Sequence, residues 1–207
     1  MITDRPPRNS RSLKQYRQSE SLTSVDLPPP PELSHLAQII ESVMREGTPA
    51  EVGRACGNFL AAAAFFYGVS APEVRALAVR PLRVREGGWQ TELFGDYALA
   101  DARIRIWTRT AIRKQVTSFG TFLSTLCHEF CHHLDVRKFG FTGSPHTRGF
   151  YERTALLYHH ARGTPAKRLF WMEAPGGRWR IDWKRMNSVQ QTAGQILRLS
   201  SRSYSVD

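Results

Sequence analysis

The chain has 207 residues, 41% of them hydrophobic and 23% charged, a balance that suits one catalytic domain with tails. Its three cysteines, Cys56, Cys127 and Cys131, contain no C-x-x-C pair, which excludes a zinc ribbon or a dithiol redox motif and argues against a disulfide scaffold. A formal net charge of +11 favours an anionic partner such as nucleic acid, the plainer alternative being a soluble basic protein.

Residues 1–31 are polar, rich in Arg and Ser and without apolar period, and end in Pro28-Pro29-Pro30-Pro31. They are expected to form a disordered basic tail with a stiff extended spacer. No apolar signal segment opens the chain, and no run approaches the ~18 apolar residues of a membrane span, so the expectation is a cytoplasmic protein with no membrane partner. A catalytic domain is expected over residues 32–187 and a polar tail over 188–207.

From Glu32, Leu33, Leu36, Ile39, Ile40 and Val43 recur at helical spacing until Gly47. Thr48-Pro49-Ala50-Glu51 carries the capping-box pattern with proline at the first helical position, and predicts a second helix to Gly68. Ser70-Ala71-Pro72-Glu73 repeats the pattern and predicts a short third helix ending near Pro81. Leu82 to Arg85, a Gly87-Gly88 turn, Thr91 to Phe94 and Arg103 to Trp107 then predict a small antiparallel sheet, the alternating arginines forming its solvated face.

A helical pattern resumes at Ser118 or Gly120 and continues through Phe122, Leu123, Leu126, Phe130 and Leu134 to about Lys138. Inside it lies His128-Glu129-Phe130-Cys131-His132. Residues four apart share a helix face, so the two imidazoles can grip one zinc ion while Glu129 acts as catalytic base on the metal's water. A catalytic zinc takes three protein ligands and keeps a fourth position open. The third ligand of the metzincin pattern is absent, since Asp135 and Lys138 stand where glycine and histidine would be needed.

Two candidates remain. His146, separated from His132 by thirteen residues, follows a turn in which Ser144 reads as an N-cap and Pro145 as the first residue of the next helix. Glu152 lies further along that helix, at a distance compatible with a gluzincin arrangement. Asp135 shares the face of both histidines and suits either a hydrogen bond to a ligand imidazole or an ion pair with Lys138. His133, His159 and His160 read as surface or satisfied histidines, and Cys127 and Cys131 as core residues. Arg148, Tyr151, Arg153 and Tyr158 are candidates to stabilise an oxyanion.

The stretch HEFCHHLDVRKFGFTGSPHTRGFYER, from His128 to Arg153, resembles the SprT-like metallopeptidases, in which HExxH is followed after a short insert by His-x-x-x-aromatic, here His146 to Phe150. The resemblance implies an α+β minimal zincin fold, with helices in front of a small sheet and two zinc-bearing helices after it. It also implies one zinc ion on His128, His132 and His146, Glu129 as general base, Phe150 as a packing residue, and a protein or peptide substrate. The family's frequent C-terminal zinc ribbon has no counterpart, because residues 163–207 contain no cysteine. Arg178-Trp179-Arg180-Ile181-Asp182-Trp183 instead interleaves tryptophans with basic residues, which suits stacking on nucleic-acid bases or packing against the domain. A rival reading is therefore a zinc-stabilised nucleic-acid-binding protein without hydrolytic activity.

Overall fold

A computed structural model of the chain describes residues 1–84 and 90–188. The architecture is α+β. Helices α1 (Ser10–Ser21), α2 (Glu32–Glu46) and α3 (Pro49–Tyr67) precede strands β1 (Glu73–Val79), β2 (Leu82–Val84), β3 (Gln90–Glu92), β4 (Gly95–Ala98) and β5 (Arg103–Arg109). Helices α4 (Phe119–Arg137) and α5 (Arg148–Arg162) follow, then a hairpin of β6 (Trp171–Ala174) and β7 (Arg178–Ile181).

The capping box opens α3 as expected: Thr48 N–H donates to Glu51 Oε2 at 2.8 Å, and Glu51 N–H donates to Thr48 Oγ1 at 3.3 Å. Helix α2 turns Leu33, Ala37, Ile40 and Met44 inward, one residue per turn, and leaves Ile39 exposed.

Three expectations are corrected. Residues 73–79 form β1 rather than a helix. The capping pattern at Ser70 is outweighed by a parallel pairing of Glu73–Val79 with Arg103–Arg109, which satisfies the backbone and buries Ile104 and Ile106 of β5 under the helices. The sheet is accordingly mixed, in the order β1-β5-β4, with β4 antiparallel on its edge. Its outer face is solvated as expected, Arg105 pairing with Asp96 at 2.6 Å and Arg103 with Asp101 at 2.7 Å. The segment Thr91 to Phe94 contributes only β3, paired with β2, and the expected Gly87-Gly88 turn lies outside the described residues.

The third correction concerns the expected disordered tail. Residues 10–21 form α1, capped by Asn9 Oδ1 accepting from Ser12 N–H at 2.8 Å, and Ile2 bridges to Arg180 of β7. Helix α1 docks through polar groups: its buried residues are Tyr16 and Ser19, and Ser19 Oγ lies 3.0 Å from Thr147 Oγ1. A helix held this way has no apolar stripe for a periodicity search to find. The ordered domain thus begins well before residue 32. The expected 188–207 tail lies, beyond Ser188, outside the described residues.

Helix α4 crosses the inner face of β4 and β5 and packs on α5, with Phe122, Leu123, Leu126, Phe130 and Leu134 in the core. This leaves the opposite stripe of α4 free to face a cleft.

Candidate metal centre

Ser118 caps α4 through its side chain, and the helix runs unbroken past residue 128 to Lys138, so His128 and His132 stand one turn apart. Their Nε2 atoms are 3.2 Å apart, and His146 Nε2 lies 3.1 Å from that of His128. Phe150, fully buried, supports all three rings at centroid distances of 4.9, 4.5 and 5.2 Å. A four-coordinate ion about 2.0–2.1 Å from each imidazole would hold its nitrogens about 3.3 Å apart. The cluster therefore fits a metal ion with little movement, and these three side chains together could hold one.

The hydrogen bonds of Ser144 fix the tautomer of His132. Ser144 Oγ donates to Asp135 Oδ2 at 3.0 Å, which uses its only proton, so at 2.7 Å from His132 Nδ1 it accepts. His132 thus carries its proton on Nδ1 and leaves Nε2 bare. The Asp4 carboxylate lies 3.4 Å from His146 Nδ1, and its bonding to His146 holds it below the ordinary aspartate value. The lone pair on His132 Nε2 faces His128 Nε2 at 3.2 Å, an arrangement that a cation satisfies. Burial pushes His128 down to about 3 and His132 down to about 2, so both rings stay neutral, as ligands must.

The position of His146 differs from the expected one. Thr147, not Ser144, caps α5, accepting from Phe150 N–H at 3.0 Å, so His146 sits just ahead of the helix. Ser144 is instead a buried residue with φ 37°, held in the left-handed region by the turn that aims its hydroxyl at His132. Glu152 does not join the cluster; its Oε1 accepts from Trp171 Nε1–H at 2.9 Å. Asp135 reaches His132 through Ser144 and receives Arg153 Nη2–H at 2.7 Å, while Lys138 donates to the Tyr67 carbonyl. Burial pushes the Asp135 carboxyl up, opposed by the Arg153 guanidinium, 1% exposed and always charged, and by the Ser144 hydroxyl.

Glu129 opens onto the same cavity as the three imidazoles, a space of about 350 Å³ also bordered by Asp4 and Tyr97. A second cleft of about 660 Å³ lies on the other side of His128 and Glu129 and runs past Phe94, Thr125 and Tyr158. Burial, with a smaller contribution from the Asp96 carboxylate, pushes Glu129 up to about 8, and a cation at the cluster would oppose that shift. Gly95 on β4 makes room for Glu129: a Cβ there would come within 2.6 Å of Thr125 Cγ2 and 3.0 Å of Glu129 Oε1.

No family model, curated protein or solved structure matches the chain.

The remaining expectations resolve within the geometry. His133 is buried and satisfied, donating from Nε2 to the Ser70 carbonyl at 2.8 Å and accepting from the Tyr97 hydroxyl at 3.0 Å. His159 pairs with Thr164 at 2.8 Å. Cys127 and Cys131 are buried in the core. Of the four oxyanion candidates, Arg148 is engaged by Glu20, Arg153 by Asp135, and the Tyr151 hydroxyl donates to the Ile2 carbonyl; Tyr158 lines the larger cleft. Sequence reasoning missed Asp4 and Gly95. A glycine opening a strand is a visible sign of close backbone approach, whereas nothing local marks Asp4.

Proposed function

We propose that the protein is a zinc-dependent metallopeptidase of SprT-like type, with one zinc ion on His128, His132 and His146 and Glu129 as general base. The observation that carries this reading is the convergence of three imidazole Nε2 atoms, that of His132 left bare by its hydrogen bond to Ser144, beside a buried glutamate on an open cavity. Three nitrogen ligands with a fourth position open to solvent is the donor set of hydrolytic zinc, and a purely structural site would be closed by a fourth protein ligand. Zinc bound there supplies Lewis acidity toward a scissile carbonyl and lowers the pKa of a coordinated water.

The chain's own residues provide the rest. Glu129 takes the proton of the attacking water and delivers it to the departing amine, a role that its place between the two cavities allows on either side of the cluster. Edge strand β4 offers its outer backbone to an extended peptide, and Gly95, which lines both cavities, would pass that peptide close over Glu129. Tyr158 is the candidate oxyanion donor facing the cleft.

The alternative, a metal-stabilised nucleic-acid-binding protein, draws on the charge of +11 and on Trp183, which is 48% exposed. Trp179, its companion in the sequence, lies under the Arg148 guanidinium at 4.1 Å. Gel-based cleavage of an unfolded protein substrate separates the readings, with zinc, with and without single-stranded DNA, for wild type and Glu129→Gln. Cleavage by wild type and none by Glu129→Gln, with zinc content equal, is the expected result. Equal cleavage by both sinks the assignment of Glu129, and DNA binding without any cleavage favours the alternative.

A further inference from the structure

The segment before α1 lies against the metal centre. Asp4 N–H donates to the His146 carbonyl at 2.8 Å, and Asp4 Oδ2 accepts from His146 N–H at 2.9 Å, a reciprocal pair that clamps the backbone of the ligand. The same oxygen stands 3.4 Å from His146 Nδ1, on the ring edge opposite the Nε2 that faces His128. Asp4 is itself held from three sides. Thr3 N–H donates to the Trp179 carbonyl at 2.8 Å, and Trp179 N–H donates back to Thr3 Oγ1 at 2.8 Å. The Tyr16 hydroxyl of α1 donates to the Asp4 carbonyl at 3.1 Å, and the Tyr151 hydroxyl of α5 donates to the Ile2 carbonyl at 3.2 Å. Residues 1–3 thus lie along β7, bridged to it at Ile2, and Asp4 follows against the imidazole.

We propose that Asp4 is the positioning residue of the metal centre: by accepting from Nδ1–H and gripping the backbone of His146, it fixes the tautomer and the ring direction that turn Nε2 to the ion. The proposal rests on the metallopeptidase reading and adds to it a role for the N-terminal segment, on which the HExxH motif is silent. His146 needs such help more than the other two ligands. His128 and His132 are set by the rigid repeat of α4, whereas His146 precedes the first turn of α5 and has no helix to orient it. The arrangement makes the seating of residues 1–3 on β7 a condition for retaining the ion. Any event that lifts this segment frees His146.

The test uses the full chain and three variants, Asp4→Ala, Asp4→Asn and Asp4→Glu. The Asp4 side chain is half exposed, so the substitutions leave the core intact, which a thermal melt of the metal-free proteins checks. Zinc affinity is read by competition with a chromophoric chelator, and ligand geometry by the visible spectrum of the cobalt-substituted protein. Removing an outer carboxylate partner of a ligand histidine costs about 10–100-fold in metal affinity, so Asp4→Ala is expected to lose that much and to shift the cobalt spectrum. Asp4→Asn, which keeps an acceptor for both His146 groups, is expected to recover part of the loss. In the metal-free protein, nitrogen-15 NMR of the imidazoles is expected to show His146 as the Nδ1–H tautomer in wild type and as a mixture in Asp4→Ala. Wild type that takes up neither zinc nor cobalt overturns the metallopeptidase reading and this proposal with it. Wild type that binds zinc with an affinity and a cobalt spectrum shared by Asp4→Ala overturns the proposal alone.

Discussion

The Ser144 hydroxyl accepts from His132 Nδ1 at 2.7 Å because its own proton is already given to Asp135. That single direction sets which nitrogen of His132 is free for a cation. It also joins the three-histidine cluster to the buried Arg153–Asp135 pair, and through Arg153 to the Ser19 and Leu22 carbonyls at the end of α1.

Replacing Ser144 with alanine is expected to weaken zinc binding by about 10-fold or more, since outer hydrogen bonds to ligand histidines are worth that much. Ser144 also sits at φ 37°, so a loss through backbone strain must be told apart from a loss of the hydroxyl. Ser144→Gly relieves the strain and still lacks the hydroxyl. If Ser144→Gly binds zinc as tightly as wild type in chelator competition, the hydroxyl has no part in holding His132.

Asp135 and Arg153 are 0% and 1% exposed at their side chains. Removing one partner leaves the other charge buried and unmatched, so Asp135→Asn or Arg153→Met is expected to cost about 3–5 kcal/mol in urea unfolding of the metal-free protein. The double variant is expected to be less damaged than the sum of the two. Additive losses in this cycle would show that the two side chains do not act as a pair.

The metal-free protein carries a pH dependence with a definite sign. Burial holds His128 and His132 near 3 and 2 in the folded chain, below the ordinary 6.5, so the unfolded chain takes up protons first as the pH falls. Stability of the metal-free protein is whole above pH 6.5 and is lost progressively between 6.5 and the folded values. Each imidazole contributes about 1 kcal/mol per pH unit in that window. Thermal melts from pH 7.5 to 4.5 check this, and a melting temperature of the His128→Gln, His132→Gln double variant that falls as steeply as wild type would refute it.

The parts of this protein legible in its sequence are those governed by neighbours a few residues apart. The capping box at Thr48 and Glu51, the inward stripe of α2 and the run of α4 from its Ser118 cap to Lys138 all follow from helical spacing. The pairing of His128 with His132 follows from it too, because one turn of helix places both on one face whatever surrounds them.

What the tertiary structure alone decided lies in contacts between distant segments. Glu73–Val79 is a strand because Arg103–Arg109 offers a parallel partner, against a local pattern that favours a helix. Helix α1 is ordered because Arg153, Thr147 and Arg148 satisfy its last turn, contacts that no apolar period announces. The choice of His146 over Glu152 was open in the sequence, where both stand at plausible distances from His132. Of the two, the fold brings His146 beside His128 and His132, through a turn that stops α5 short of it and through Asp4, 142 positions away, which bonds its backbone N–H. A hydrogen bond across such a separation forms only once the fold has met the entropy of bringing its ends together, so no local pattern can encode it.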